Sequence, residues 1–296
     1  MIAPFPSKSG RSGAVRPTIY INIRQRYWAN RHGISSDDKG YVLSLSDNLF
    51  MPLSAEASQE FLRGAGDELR KNMLALHSSS ALVVNAFDYW RHLGKLTPVL
   101  HLLKPGIGDV TIQDFQFEAP LPILWPNPPA RPTTPPHLDL VIRYQVGQNQ
   151  PKPGVLAVES KFGEPYGQDQ GGFAPRYFDP SNAALWEGLK PLLDLANSMR
   201  AERIFRRLKA AQLIKHIFGL RSQFPHQPFE LLYLWYDVPG PEATQHAHEI
   251  RQFARITEEC GVNFKSLTYH EFIQELAIQR RTGHRQYVDY LMERYF

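Results

Sequence analysis

The chain has 296 residues, 43% hydrophobic and 12% aromatic, enough for one large domain or two small ones with a real core. Its formal charge of +4 is mild, no apolar run approaches the ~18 residues of a membrane span, and the start M-I-A-P-F-P-S-K-S-G-R-S-G carries no apolar signal core. Cys260 stands alone, which excludes an internal disulfide and a cysteine-built zinc site and fits a reducing cytoplasm.

Residues 1–50 read as a polar N-terminal arm with short strands near 18–23 and 41–45. Within it Arg11, Arg16, Arg24, Arg26 and Arg31 interleave with Tyr20, Tyr27 and Trp28, a mixture suited to a phosphate backbone and unstacked bases. Residues 51–296 read as one domain, since no repeat and no linker divides them. Helices are expected over 55–76 and 81–93, with Asn85 in A-L-V-V-N-A-F as a satisfied core amide. Residues 109–118 alternate as a strand does, and 120–136 hold eight prolines, too many for a helix or a central strand. That stretch reads as an ordered loop or a lid.

The chemistry-bearing pattern comes next. Residues 138–146 and 154–162 are rich in β-branched and aromatic side chains, and turn residues from Gly147 to Pro153 lie between them. A turn centred near 150 sets Asp139 opposite Lys161 and one diagonal step from Glu159. Alternation puts Leu138, Leu140, Ile142, Tyr144, Leu156, Val158 and Phe162 on one face. Asp139, Val141, Arg143, Val155, Ala157, Glu159 and Lys161 fall on the other, so three charges converge at the rim of a sheet covered on both faces. Two carboxylates on adjacent strands can share Mg²⁺, with Mn²⁺ as a substitute and the Ser160 carbonyl as a third ligand. Such a metal acidifies water and neutralises phosphoryl charge, and Lys161 is placed to orient the attacking water or stabilise the transition state. The competing structural reading is a plain cross-strand salt bridge between Asp139 and Lys161.

Asp139…Glu159-Ser160-Lys161 resembles the core of the PD-(D/E)XK nuclease superfamily, and A-V-E-S-K-F, A-A-Q-L-I-K-H and L-L-Y-L-W-Y-D resemble its prokaryotic restriction-endonuclease-like branch. The motif departs from the family in having Leu138 where the naming proline would stand. The resemblance implies an α/β fold, a central mixed sheet flanked by helices, and a Mg²⁺-dependent endonuclease that leaves 5′-phosphate ends on DNA. It also implies an acidic residue on a helix before the sheet, best matched by Glu68 with Asp67 as a competitor. A polar residue is implied on the helix after the E-x-K strand, and Gln212 matches it, on an inward stripe with Leu208 and Phe205 and one turn before His216.

Gly163–Pro180 reads as a loop, and Glu164, Tyr166 and Tyr177 in it are placed to touch substrate. The expected helix over 200–219 is the most basic part of the chain: residues 200–221 carry seven Lys/Arg against one acid, Glu202. Arg203, Arg206, Arg207, Lys209 and Lys215 are the candidate DNA contacts there. A buried strand over 230–236, helices over 242–260, 270–280 and 284–294, and a strand over 264–268 complete the chain. Glu242, His246 and Glu249 read as solvated helix charges, and no P-loop, dinucleotide fingerprint or G-x-S-x-G is present. Two other readings stay open: a DNA-binding protein of the same fold without catalysis, and a two-carboxylate glycoside hydrolase in which Lys161 has no role. Cleavage of two strands favours a homodimer or paired action.

Overall fold

The computed structural model describes residues 16–64, 67–131, 133–167, 171–280 and 282–296. Arg11 of the N-terminal basic group, Gly66, Pro132 and residues 168–170 of the loop after the E-x-K strand lie outside that description.

Five strands form one mixed sheet in the order β1(Val110–Pro120), β2(His137–Val146), β3(Lys152–Lys161), β4(Phe229–Trp235), β5(Phe264–Thr268). The first three make an antiparallel meander, while β4 lies parallel to β3 and β5 parallel to β4. A parallel connection requires a crossover, and helices supply it. They are α5(Lys190–Ala201) and α6(Ala210–Gln223) between β3 and β4, and α7(Pro241–Glu259) between β4 and β5.

Both sheet faces are covered. Leu140, Ile142, Leu156, Val158, Leu232 and Leu234 pack in one core cluster with helices α2(Ala55–Arg63), α3(Ser79–His92), α4(Thr97–Leu103), α8(Tyr269–Arg280) and α9(Arg285–Tyr295). Val141, Val155, Ala157, Leu231 and Tyr233 pack in the other with α5, α6 and α7. The face assignment read from alternation holds, except that Leu138 joins the second cluster. It pairs with Ala119 just beyond Glu118, whose φ of 48° turns the edge of the sheet over. The α/β order that the resemblance implies is present, and no described helix is long and apolar enough to cross a membrane.

Several local expectations are corrected. Residues 18–23 are helical, within α1(Pro17–Arg31). Their strand-like alternation arises because α1 carries apolar residues on both sides. Pro17 opens the helix, Ile21, Gln25 and Trp28 are buried at helical spacing, and Ile19, Ile23 and Tyr27 are exposed. Near 41–45 only isolated bridges form, Ser36 with Val42 and Tyr41 with Ala75. The helix expected over 55–76 stops at Arg63, where Gly64 leaves helical geometry, and a single 3₁₀ turn follows at Asn72–Leu74. The helix expected over 200–219 is displaced, because residues 202–209 form an irregular segment between α5 and α6. The buried carboxylate of Glu249 accepts the backbone N–H groups of Arg206, Arg207 and Leu208 at 2.9, 2.7 and 2.8 Å, which satisfies that segment without a helix. Glu249 and His246 are therefore interior groups and not solvated charges.

Asn85 is a satisfied core amide: it donates to Asn48 O and Tyr295 Oη and accepts from Phe50 N. Arg294 joins the two ends of the chain. Fully buried, it donates to Gln25 Oε1 at 3.0 Å, Asn48 O at 2.8 Å, Tyr290 Oη at 2.6 Å and the Asn48 side chain, and it lies against the Trp28 ring. Arg294→Met leaves several buried acceptors without donors. It is expected to lower unfolding free energy by about 3 kcal/mol or more, read as a reduced midpoint in urea.

Candidate active site

Asp139 stands near the start of β2, and Glu159, Ser160 and Lys161 end β3. The strands are antiparallel, so these positions meet at one rim of the sheet. Leu140 pairs with Val158, and the next step sets Asp139 against Glu159 instead of Lys161. The register differs from the expected one by two residues, which keeps every side chain on its face.

Glu159 is 1% exposed, Ser160 0% and Lys161 8%. The Lys161 ammonium forms an ion pair with Glu159 Oε1, and His216 Nε2, from α6, lies 3.0 Å from Glu159 Oε2. Each oxygen of the fully buried Glu159 carboxylate is thus faced by one side-chain nitrogen. The Ser160 backbone N–H donates to Asp139 Oδ2 at 2.6 Å, and on the opposite face Ser160 Oγ lies 2.6 Å from Tyr269 Oη. These two bonds fix the turn of the strand between the acid and the lysine.

The charges are uneven. Burial raises the Asp139 carboxyl well above its usual value, and the neighbouring Glu159 charge pushes the same way. Burial alone would raise Glu159 too, but Lys161 and His216 overcome it and hold the group at about 2. Burial opposes the Lys161 charge, yet Glu159, Asp139 and Glu164 more than compensate and raise its pKa. The rim therefore holds one firmly ionised carboxylate, one carboxyl with a strong tendency to keep its proton, and a permanent cation.

A further acid belongs to this group. Glu118, in β1, falls at the register step opposite Asp139 and is the one described non-glycine residue with positive φ, 48°. A carboxylate-bearing residue held in that conformation marks stored backbone strain at a charged site. Burial, then the charges of Glu68 and Glu159, push Glu118 up to about 7. Because its folded pKa lies above the ordinary 4.5, the native state binds the extra proton between those values. The stability Glu118 contributes is complete below pH 4.5 and is lost as pH rises through about 7. In chelator, Glu118→Gln is expected to flatten the fall in stability between pH 4.5 and 7, measured by urea unfolding at several pH values. An unchanged slope would remove Glu118 from the charge cluster.

The other sequence candidates are distributed around this core. Glu68 lies in a turn, not on a helix, where Asn72 Nδ2 and Ser80 Oγ donate to its two oxygens at 2.9 and 2.7 Å. Its charge reaches the cluster through Glu118. Gln212 is half-buried in the first turn of α6, and His216 one turn later is the α6 side chain that meets Glu159. Arg203, Arg206, Arg207 and Lys209 occupy the 202–209 segment, and Arg207 Nη1 approaches Tyr166 O at 3.5 Å. Lys215 is turned into the loop after β3: its ammonium donates to Gly172 O at 2.5 Å beside the Phe173 and Tyr177 rings, and burial lowers its pKa. The sequence reading missed Glu118. The signal was an acid ending an alternating strand, but the proline-rich stretch before β2 hides the β1–β2 register.

A family model described as Restriction Endonuclease associating with ARP matches residues 22–296. No curated protein and no solved structure matches the chain.

Proposed function

Since the chain belongs to this restriction-endonuclease family, we propose that it is a divalent-metal-dependent nuclease that hydrolyses DNA phosphodiester bonds at the rim formed by Asp139, Glu159 and Lys161. The observation that carries the reading is Glu159, a fully buried carboxylate faced by Lys161 and His216 and next in register to Asp139 at the sheet rim. An all-oxygen donor set at the end of two strands suits Mg²⁺ or Mn²⁺. Asp139, Glu159 and the Ser160 carbonyl are the groups to hold it. When bound, the ion supplies Lewis acidity toward a phosphoryl oxygen and toward water.

The protein's own groups do the rest. Ser160 N–H fixes the Asp139 carboxylate by a 2.6 Å bond. Lys161, which stays protonated because Glu159 and Asp139 face it, offers N–H donors to the phosphate in flight and to the attacking water. His216 holds Glu159 from behind. Arg203, Arg206, Arg207 and Lys209, on the segment before α6, offer cations to the DNA backbone. Cleavage of both strands would call for a homodimer or paired action. The lone Cys260 is in keeping with a cytoplasmic setting.

A second reading, a member of the fold that binds DNA without cutting it, has one observation in its favour. Among the described residues no three His, Cys, Asp or Glu side chains stand arranged as a ready cation site. The deciding experiment is cleavage of a panel of DNA substrates with Mg²⁺, Mn²⁺ or chelator, beside calorimetric titration of each ion. Metal-dependent cleavage supports the nuclease. DNA binding without ion binding or cleavage supports the second reading.

A further inference from the structure

A cleft of about 430 Å³ opens at the end of β3 that carries the charged cluster, since Gly163 and Glu164 in its wall follow Lys161 by two and three residues. Its volume falls in the range of small-molecule pockets and it is bounded by α1, the Glu68 turn and the start of α3. Two polar atoms of its lining residues, Asn22 Oδ1 and His77 Nδ1, are buried without a hydrogen-bond partner among the described residues. Both lie within 4 Å of the point where a Cβ on Gly40 would stand, so they converge on one spot. Buried polar atoms without partners call for a ligand that brings both a donor and an acceptor.

The charges of the wall narrow the class of ligand. Glu68 and Glu164 are carboxylates, and burial lowers the pKa of the His77 imidazole. A phosphate is therefore repelled, whereas the edge of a neutral nucleobase presents both amino donors and ring acceptors. Tyr41 adds an aromatic wall, edge-on to His77 with ring centroids 6.3 Å apart. Base stacking on such rings needs no particular sequence.

We propose that this cleft receives one unstacked base of the substrate strand, next to the phosphodiester at Asp139, Glu159 and Lys161. The inference rests on the nuclease reading and narrows its substrate to strands with an unpaired base, whether single-stranded, frayed or flipped out of a duplex.

The test is equilibrium binding in chelator, so that cleavage does not intervene. Fluorescence anisotropy compares a labelled single strand carrying bases with an abasic strand of equal length and phosphate count. The wild type is expected to prefer the base-bearing strand by about tenfold or more. Asn22→Ala and Tyr41→Ala are each expected to bring the two affinities within about twofold of one another. Thermal melting checks that the variants are folded. If Tyr41→Ala is not, Asn22→Ala on the half-buried side of α1 decides. Equal affinities in the wild type, or an undiminished preference in a folded cleft variant, overturns the inference while leaving the nuclease intact. A protein that neither binds nor cuts any DNA overturns both.

Discussion

Asp139→Ala, Glu159→Ala and Lys161→Ala are each expected to lower divalent-ion-dependent DNA cleavage by about 10²–10³-fold or more. The three groups differ in their states, and the proposed chemistry uses that difference. Glu159 is held ionised at about 2 by Lys161 and His216 against the effect of burial. Asp139 keeps its proton more readily, because burial and the Glu159 charge both oppose ionisation. A bound cation would reverse that preference at Asp139, so metal affinity should rise with pH as its carboxyl is deprotonated. Loss of Asp139 removes one oxygen ligand, and loss of Glu159 removes the carboxylate of the pair that Lys161 and His216 keep ionised. Loss of Lys161 removes the cation closest to both. Initial rates on a supercoiled plasmid and on single-stranded DNA under excess Mg²⁺ provide the measurement. Full activity in any one of the three variants would sink the assignment.

The second large effect is on folding. Lys161→Ala is expected to destabilise the protein by about 3–5 kcal/mol, because it leaves a buried carboxylate without its counter-charge. The burial makes this so: Glu159 is 1% exposed, and loss of the ammonium leaves its Oε1 without the partner that faces it, with His216 at Oε2 alone. Glu159→Gln/Lys161→Met replaces both partners by neutral groups of similar shape and should lie much closer to the wild type. The sign with pH follows from the low Glu159 value. Its contribution is present above the ordinary 4.5 and is lost as pH falls toward about 2. The double variant lacks that acid-sensitive part. Urea unfolding of wild type, single and double variants between pH 3 and 8 separates the two effects. A Lys161→Ala protein as stable as the wild type would mean that the pair is not buried in solution. The sheet-rim lysine is thus expected to matter to the fold as well as to the chemistry, and activity of the single variants has to be read below their unfolding temperatures.

Local pattern was sufficient for most of the sheet. The β2–β3 hairpin, β1, β4, β5 and the last three helices lie within a few residues of where periodicity puts them. The parity of Asp139, Glu159 and Lys161 also follows from sequence, since side chains alternate by two and a two-residue error in register preserves the face. Recognition of the family motif rested on those same residues. The N-terminal helix and the 202–209 segment differ from the local expectation because their partners are remote. The buried side of α1 is anchored through Gln25 by Arg294, more than 260 residues away, and the basic segment is held by Glu249 in a later helix.

Which acids and which lysine share a face follows from local pattern, because that depends on the two-residue period of a strand. Which residue stands opposite which, and which further groups join them, is set by long-range packing. Glu118 reaches the rim through a β1–β2 register that the proline-rich stretch conceals, His216 reaches Glu159 from a helix about 55 residues later, and the cleft gathers α1, the Glu68 turn and the loop after β3. These are contacts between segments far apart in the chain. Burial and closure of the whole fold set them, and no local period encodes them.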